Sequence, residues 1–244
     1  MISTFASAPY VHLQLEFIRR ILPALPVLVH DDHSGDPLLP VLCRRYGVFF
    51  QRNSVPFGFP AGDLTSFVHG LRWAASQQLD ILVKFSRRFI PTHDWVMPLQ
   101  HLARANQCPT FSSICRNLNW GFRSEAVGMH VPSWVGAGMI ETIELECHAP
   151  YVVFVEHFIH QCARTVLEAA IDQDVRSWRC STPYPEYDGS FVMWSSLGQN
   201  RVVKVPGLLW HHSCSTSDYY AESKRMGLSY TLPDFDRPCD RLGH

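Results

Sequence analysis

The run His30-Asp31-Asp32-His33-Ser34-Gly35-Asp36 places three carboxylates, two imidazoles and a hydroxyl side by side. Such acids can accept hydrogen bonds from a nucleobase edge or a ribose. The same residue types also build ordinary turns and helix caps. A second cluster, Lys84-Phe85-Ser86-Arg87-Arg88, holds three cations and no acid. Arg and Lys can neutralise a diphosphate through charge-assisted bonds, or simply face solvent and pair with acids such as Asp94. In a third, Glu156, His160 and Arg164 recur every four residues and so share one helix face, with His157 beside them. A carboxylate or an imidazole there could act as general base. As a plain surface pair, Glu and His contribute only a few tenths of a kcal/mol. The fourth is Trp210-His211-His212-Ser213. Adjacent residues in extended chain point opposite ways, so at most one of these histidines reaches a common site. No spaced partner motif accompanies them for zinc.

Two smaller features belong with these. Gly58, Gly62 and Asp63 precede a helix start, a place that favours anions but more often is only a turn and a cap. Trp120 and Trp134 flank residues 121–131 and could stack on a sugar, although core packing is the commoner use of Trp.

The elements that must position these groups alternate. Residues 2–6 read as a short strand and 8–22 as a helix with an apolar stripe, closed by Pro23 and Pro26. Residues 25–30, LPVLVH, form a buried strand, 37–46 a short helix and 48–51 a third strand. Asp63 is the expected N-cap of a helix over 64–78, and 80–85 is a fourth strand. This order implies a largely parallel sheet covered on both faces, with ligands bound beyond the carboxyl ends of its strands. Further on, a helix over 94–106, strands over 109–114 and 121–131, and a helix over 151–170 started by Pro150 are expected. Short strands near 191–195 and 201–205 and a helix over 216–226 complete an irregular C-terminal region.

Composition narrows the class. The chain has 244 residues, 46% hydrophobic and 18% charged, enough for one sizeable core. With 21 basic and 22 acidic residues its net charge is -1, which argues against nucleic-acid binding by bulk charge. The eight cysteines (43, 108, 115, 147, 162, 180, 214 and 239) include no CxxC pair. The first residues carry no basic start followed by an apolar run, so reduced thiols and a cytoplasmic location are expected. The apolar stretch 151–170 carries Glu156, His157, His160 and Arg164 and is no transmembrane segment.

Within this frame PVLVHDDHSGD (26–36) resembles the second strand and DDxSxD turn of GT-A glycosyltransferases, especially the large inverting family. The likeness covers roughly residues 2–170 as a pattern. It implies an α/β, GT-A-like, mostly parallel sheet with helices on both faces. One domain would span 1–244, with a nucleotide-binding half over 1–115 and an acceptor-side half over 116–244. The implied partners are a nucleotide-diphosphate sugar donor and a hydroxyl acceptor, glycan or small molecule. Asp32 would bind the base, Asp31, Ser34 and Asp36 would line its pocket, and Asp63 and His69 would approach it. The family's fourth strand ends in a DxD that holds a divalent metal. Here LVKFSRR stands in its place, so Lys84, Arg87 and Arg88 would stabilise the leaving diphosphate, while Mn²⁺ or Mg²⁺ stays open as a cofactor. Glu156 would match the first acid of the family's Glu-Asp pair and act as base, with His157 replacing the aspartate. His211 or His212 would assist at the diphosphate. The alternative is a binding or assembly protein that kept the fold and lost the chemistry. A nucleotidyl-transfer enzyme on a related sheet fits less well, because such enzymes need acidic metal ligands.

Overall fold

The computed structural model describes residues 1–96, 110–114, 122–149, 154–170, 191–194, 201–203, 207–210 and 214–236. The first half follows the expected alternation: β1 (Ile2–Thr4), α1 (Ala8–Ile21), β2 (Leu28–Asp31), α2 (Leu38–Tyr46), β3 (Phe49–Arg52), α3 (Ala61–Ser76) and β4 (Ile81–Ser86). Then come β5 (Phe89–Pro91), β6 (Thr110–Ile114), β7 (Phe122–His130), α4 (Val131–Gly136), α5 (Met139–Cys147) and α6 (Val155–Ala170). Strands β8 (Phe191–Trp194), β9 (Arg201–Val203) and β10 (Leu208–Trp210) precede α7 (Thr216–Arg225) and α8 (Leu232–Phe235).

Local chemistry explains the boundaries. Helix α1 starts with Pro9 in its first turn, where the missing N–H costs nothing, and its last turn carries Arg19 and Arg20 against the negative end of the dipole. Helix α2 stops at Gly47, which adopts a left-handed φ of 60° that only glycine takes without strain. Strand β2 begins at Leu28, later than expected, and runs through Asp31 rather than ending before it. Helix α3 corrects the sequence reading. It begins at Ala61 behind Pro60, so Asp63 lies inside its first turn and does not cap it. Helix α6 starts at Val155; Pro150 and residues 97–106 of the helix expected over 94–106 lie outside the described residues.

The main sheet has eight strands in the order β3-β2-β1-β4-β7-β6-β8-β9. The first four are mutually parallel, and every later pairing is antiparallel. Six strands (β3, β2, β1, β4, β6 and β9) therefore run one way, and only β7 and β8 run against them. A separate two-stranded ribbon pairs β5 with β10.

Helices cover both faces, as a sheet buried on both sides requires. On one face α3 to α6 pack on Leu28, Leu82, Val127 and Met129, around the buried Trp134. On the other, α1 and α2 pack on Ile2, Val27 and Val29. Farther along, Phe85, Phe89, Trp95, Phe111, Ala126 and Trp210 form an aromatic core. Outside α1 lies a further layer, in which Tyr219, Met226, Leu228 and Phe235 cover Tyr10, Leu13 and Phe17. Among the described residues no helix is long and apolar enough to cross a membrane.

Candidate active site

The strand order reverses at β1: the chain steps outward to β2 and β3 on one side and returns to β4 on the other. Such a reversal opens a crevice beyond the carboxyl ends of the two central strands, because the connecting helices leave on opposite faces. The register brings the ends together, with Thr4 beside Asp31, Asp31 beside Arg52, and Ser3 beside Ser86. Arg87 follows β4 and donates from Nη1 to the Phe5 carbonyl at 2.8 Å, spanning the end of β1. The next residue, Ala6, holds a φ of 45°, a left-handed backbone that an alanine tolerates only under surrounding constraint.

The acidic turn assembles at this edge, but most of its carboxylates are internally engaged. Asp31 is fully buried; its Oδ2 receives Arg52 Nε at 2.7 Å, and it also accepts from the Ser34 amide. Arg52 reaches on to the Asp36 carbonyl at 3.0 Å, and its side chain is partly exposed. Asp32 is buried and accepts three hydrogen bonds, from Asn53 Nδ2 (2.7 Å), the Phe57 amide (3.0 Å) and the Gly58 amide (2.8 Å). It thus holds loop 53–60 in place, a structural task in addition to the base contact that the resemblance implies. Ser34 accepts from the Asp36 amide through Oγ. Asp36 accepts from the Leu38 amide at 2.9 Å and faces the Ala8 amide at 3.4 Å, so it serves the starts of both α1 and α2.

The cationic cluster divides. Lys84 is fully buried on the α3 side, with Nζ donating to both Asp63 oxygens (2.7 and 2.8 Å) and to the Ser124 carbonyl (3.0 Å), above the Phe67 ring. The expectation that Lys84 meets a diphosphate gives way here, since its donors are spent inside the protein. Asp63 also accepts from Ser3 Oγ at 3.0 Å and belongs to the same internal pair. Arg87 and Arg88 are half-buried after β4, and the Arg88 carbonyl accepts from Tyr219 at 2.6 Å.

Glu156 sits in the first turn of α6, half-buried, and accepts from Ser124 Oγ at 3.1 Å. Ser124 lies in an irregular part of β7: one step along β6, Ser112 to Ser113, spans Val127 to Arg123 on β7. Bulges of this kind re-aim side chains at sheet ends. The Ser124 carbonyl on Lys84 and its hydroxyl on Glu156 place Asp63, Lys84 and Glu156 in one connected set. His157 shares a 2.7 Å hydrogen bond with Gln161. Burial, reinforced by Arg164 and His157, pushes His160 down to about 4, so its imidazole is neutral at pH 7. His211, His212 and Trp120 lie outside the described residues, and Trp134 is a core residue whose Nε1 donates to Thr110 Oγ1.

Four residues that the sequence reading passed over complete the site: Ser3, Arg52, Asn53 and Ser124. Arg52 was findable, because it ends β3 as Asp31 ends β2. Ser3 and Ser124 carry no sequence signal, since only their pairing partners give them a role.

Among the described residues, these acids do not present a divalent-metal site. Asp31, Asp32 and Asp63 are committed to Arg52, to Asn53 with two amides, and to Lys84. Among the described residues no three His, Cys, Asp or Glu side chains converge as ligands.

No family model matches the chain, and no curated protein matches it. Among solved structures it is similar to TarS residues 1–349 of S. aureus, with 11% identity over 56% of this chain and 48% of that one, at a TM-score of 0.44. It is also similar to a cytidylyltransferase from Leptospira borgpetersenii serovar Hardjo-bovis, with 17% identity over 64% of this chain and 60% of that one, at a TM-score of 0.41. The chain therefore spans about half the length of the first and three fifths of the second. Likenesses of this size carry no argument about activity.

Proposed function

We propose that this protein binds a nucleotide-diphosphate sugar at the carboxyl edge of β1 to β4 and transfers its glycosyl group to an acceptor hydroxyl. The observation that carries this reading is the strand-order reversal at β1, with Arg87 held across the end of that strand and Asp31, Asp32 and Asp36 gathered beside it. Residues 1–115 supply the nucleotide side of the reaction and 116–244 the acceptor side.

In this reading Asp31 and Asp36 fix Arg52, and Asp32 fixes loop 53–60, so the nucleoside meets a preformed wall. Preformed walls save the ordering entropy that binding otherwise costs. Arg87 and Arg88 neutralise the charge that develops on the departing diphosphate, with His211 or His212 assisting there. Glu156 takes the proton from the attacking hydroxyl, and Ser124 orients its carboxylate. His157 stands next to it on α6 as the neighbouring acid–base group.

Thermal unfolding in the presence of UDP, GDP, CDP and dTDP, each with EDTA and with Mn²⁺, tests the reading. A ligand at about 100 times its dissociation constant stabilises by about 2.7 kcal/mol, a shift of a few degrees at this chain length. The expected result is one base that shifts the midpoint in EDTA and loses its effect in Arg87→Ala. A shift with Mn²⁺ alone would keep the nucleotide and discard the arginines as its metal substitute. No shift with any diphosphate would leave a non-catalytic binding protein as the better description.

A further inference from the structure

Behind Asp32 lies a buried polar cluster that the proposed reaction does not use. Asn53 Nδ2 donates to Asp32 Oδ1 at 2.7 Å and to Thr65 Oγ1 at 2.9 Å. With its amide nitrogen so engaged, Asn53 Oδ1 can only accept, and two imidazoles meet it: His30 Nε2 and His69 Nε2, each at 3.1 Å. Both histidines therefore carry their proton on Nε2. His69 Nδ1 is left bare and accepts from Gln51 Nε2 at 2.6 Å. The two rings stack with centroids 5.0 Å apart and 26° between planes, and His30 is 1% exposed.

The bond from Gln51 needs a bare His69 Nδ1, whereas the two Nε2–H donors to Asn53 persist in either charge state, so it is the Gln51 contact and the stacking of the rings that oppose protonation. A proton on His69 Nδ1 would face the Gln51 amide, donor against donor. A second charge on the buried His30 would lie against the first on the half-buried His69. The charged groups around the pair do not offset this. Asp32 is already held by Asn53 and two amides, and Asp63 by Lys84. Glu144, on α5, forms a two-pronged pair with Arg72 of α3, and His148 lies near that glutamate. Arg72 disfavours a charge on His69 and Glu144 favours it.

We propose that His30, His69 and Asn53 form an acid-sensitive latch on loop 53–60. With neutral rings, Asn53 is fixed between the imidazoles and Asp32, and Asp32 pins the Phe57 and Gly58 amides. Protonation drives the rings apart, releases Asn53 and leaves Asp32 without its side-chain donor, so the loop opens at the edge of the crevice. Burial holds both imidazoles below their ordinary range, His30 at about 4. The sign follows: the depressed histidine pKa keeps the latch fully closed above about pH 6.5 and weakens it as pH falls toward 4. The loop is solvent-facing, with Val55 and Phe59 exposed, so its opening does not require the core to unfold.

Amide hydrogen exchange by NMR on the whole chain at pH 7.5, 6 and 5 tests the latch, with no ligand needed. Protection of Phe57 and Gly58 is read relative to Val68 and Leu71 inside α3. The expected result is a loss on the order of tenfold in that ratio by pH 5, since an opening linked to one proton changes about tenfold per pH unit. His69→Gln and His30→Gln, which cannot titrate, should hold a constant ratio over the same range. A constant ratio in the wild type, or an equal loss in His69→Gln, would overturn the latch. Should the variants not fold, the imidazole titrations of His30 and His69 in the wild type, followed to about pH 3.5, decide: linkage requires midpoints below the pH at which loop protection begins to fall, and ordinary midpoints of about 6.5 for both rings overturn the latch. None of these results depends on the glycosyl-transfer reading.

Discussion

Lys84 and Asp63 show how one buried pair can be read in opposite ways. In the sequence, Lys84 is a cation at the end of a strand next to two arginines. In the structure its ammonium makes three hydrogen bonds and reaches no surface. Removing one partner from such a pair strands a charge. Lys84→Met or Asp63→Ala alone should therefore cost about 3–5 kcal/mol in urea unfolding. The double variant Lys84→Met with Asp63→Leu should cost far less than the sum, because neither charge is then left alone. Additive losses would show that the two side chains do not act as a pair. Arg87 belongs to the same stretch but bonds to the Phe5 carbonyl at the crevice, so the two cations separate in role three residues apart.

At the scale of elements, the site depends on close approach between β2 and the start of α3. Gly62 lies so near Asp32 that a Cβ at residue 62 would collide with the carboxylate. That contact lets Asp32 reach the Phe57 and Gly58 amides while α3 begins at Ala61. Gly62→Ala should destabilise by about 1–3 kcal/mol, the range for overpacking a tight site. It should also reduce exchange protection of Phe57 and Gly58 more than that of α3. A variant as stable as wild type would mean that the two elements can separate freely. Sequence periodicity marked both elements but not their spacing. The displaced N-cap has the same origin, since Asp63 has the right residue type for a cap and Lys84 holds it in another role.

At the scale of the whole molecule, a late segment of the chain returns to the first helix. Residues 214–236 wrap the outer side of α1: Tyr10 donates to the Phe235 carbonyl at 3.0 Å, and Tyr10 packs edge-on to both Tyr219 and Phe235. His12 bonds Tyr230 at 2.8 Å and Tyr46 at 2.9 Å, tying the tail to α1 and α2. Tyr219 in turn holds the Arg88 carbonyl, so the tail braces the loop that follows β4. Phe235→Ala should cost about 3–5 kcal/mol, the usual loss for a buried aromatic ring. A loss under about 1 kcal/mol in denaturant unfolding would mean that the tail is only loosely attached.

The sequence by itself determined the alternation of the first 86 residues, and with it the parallel half of the sheet. Those elements are local: apolar runs, prolines and a terminal glycine define them within a few residues. It also located the antiparallel strands β6 and β7 and helix α6. It did not show α4, α5 or the β5–β10 ribbon. The ribbon's strands are three residues each, and their pairing joins segments more than a hundred residues apart. Only the tertiary structure decided which charges are available for chemistry. Asp31, Asp32, Asp63 and Lys84 meet their partners across strands and helices distant in the chain, and burial forces each to be satisfied there. Residue type marks a group as able to do chemistry; its neighbours in space determine whether it is free to do it.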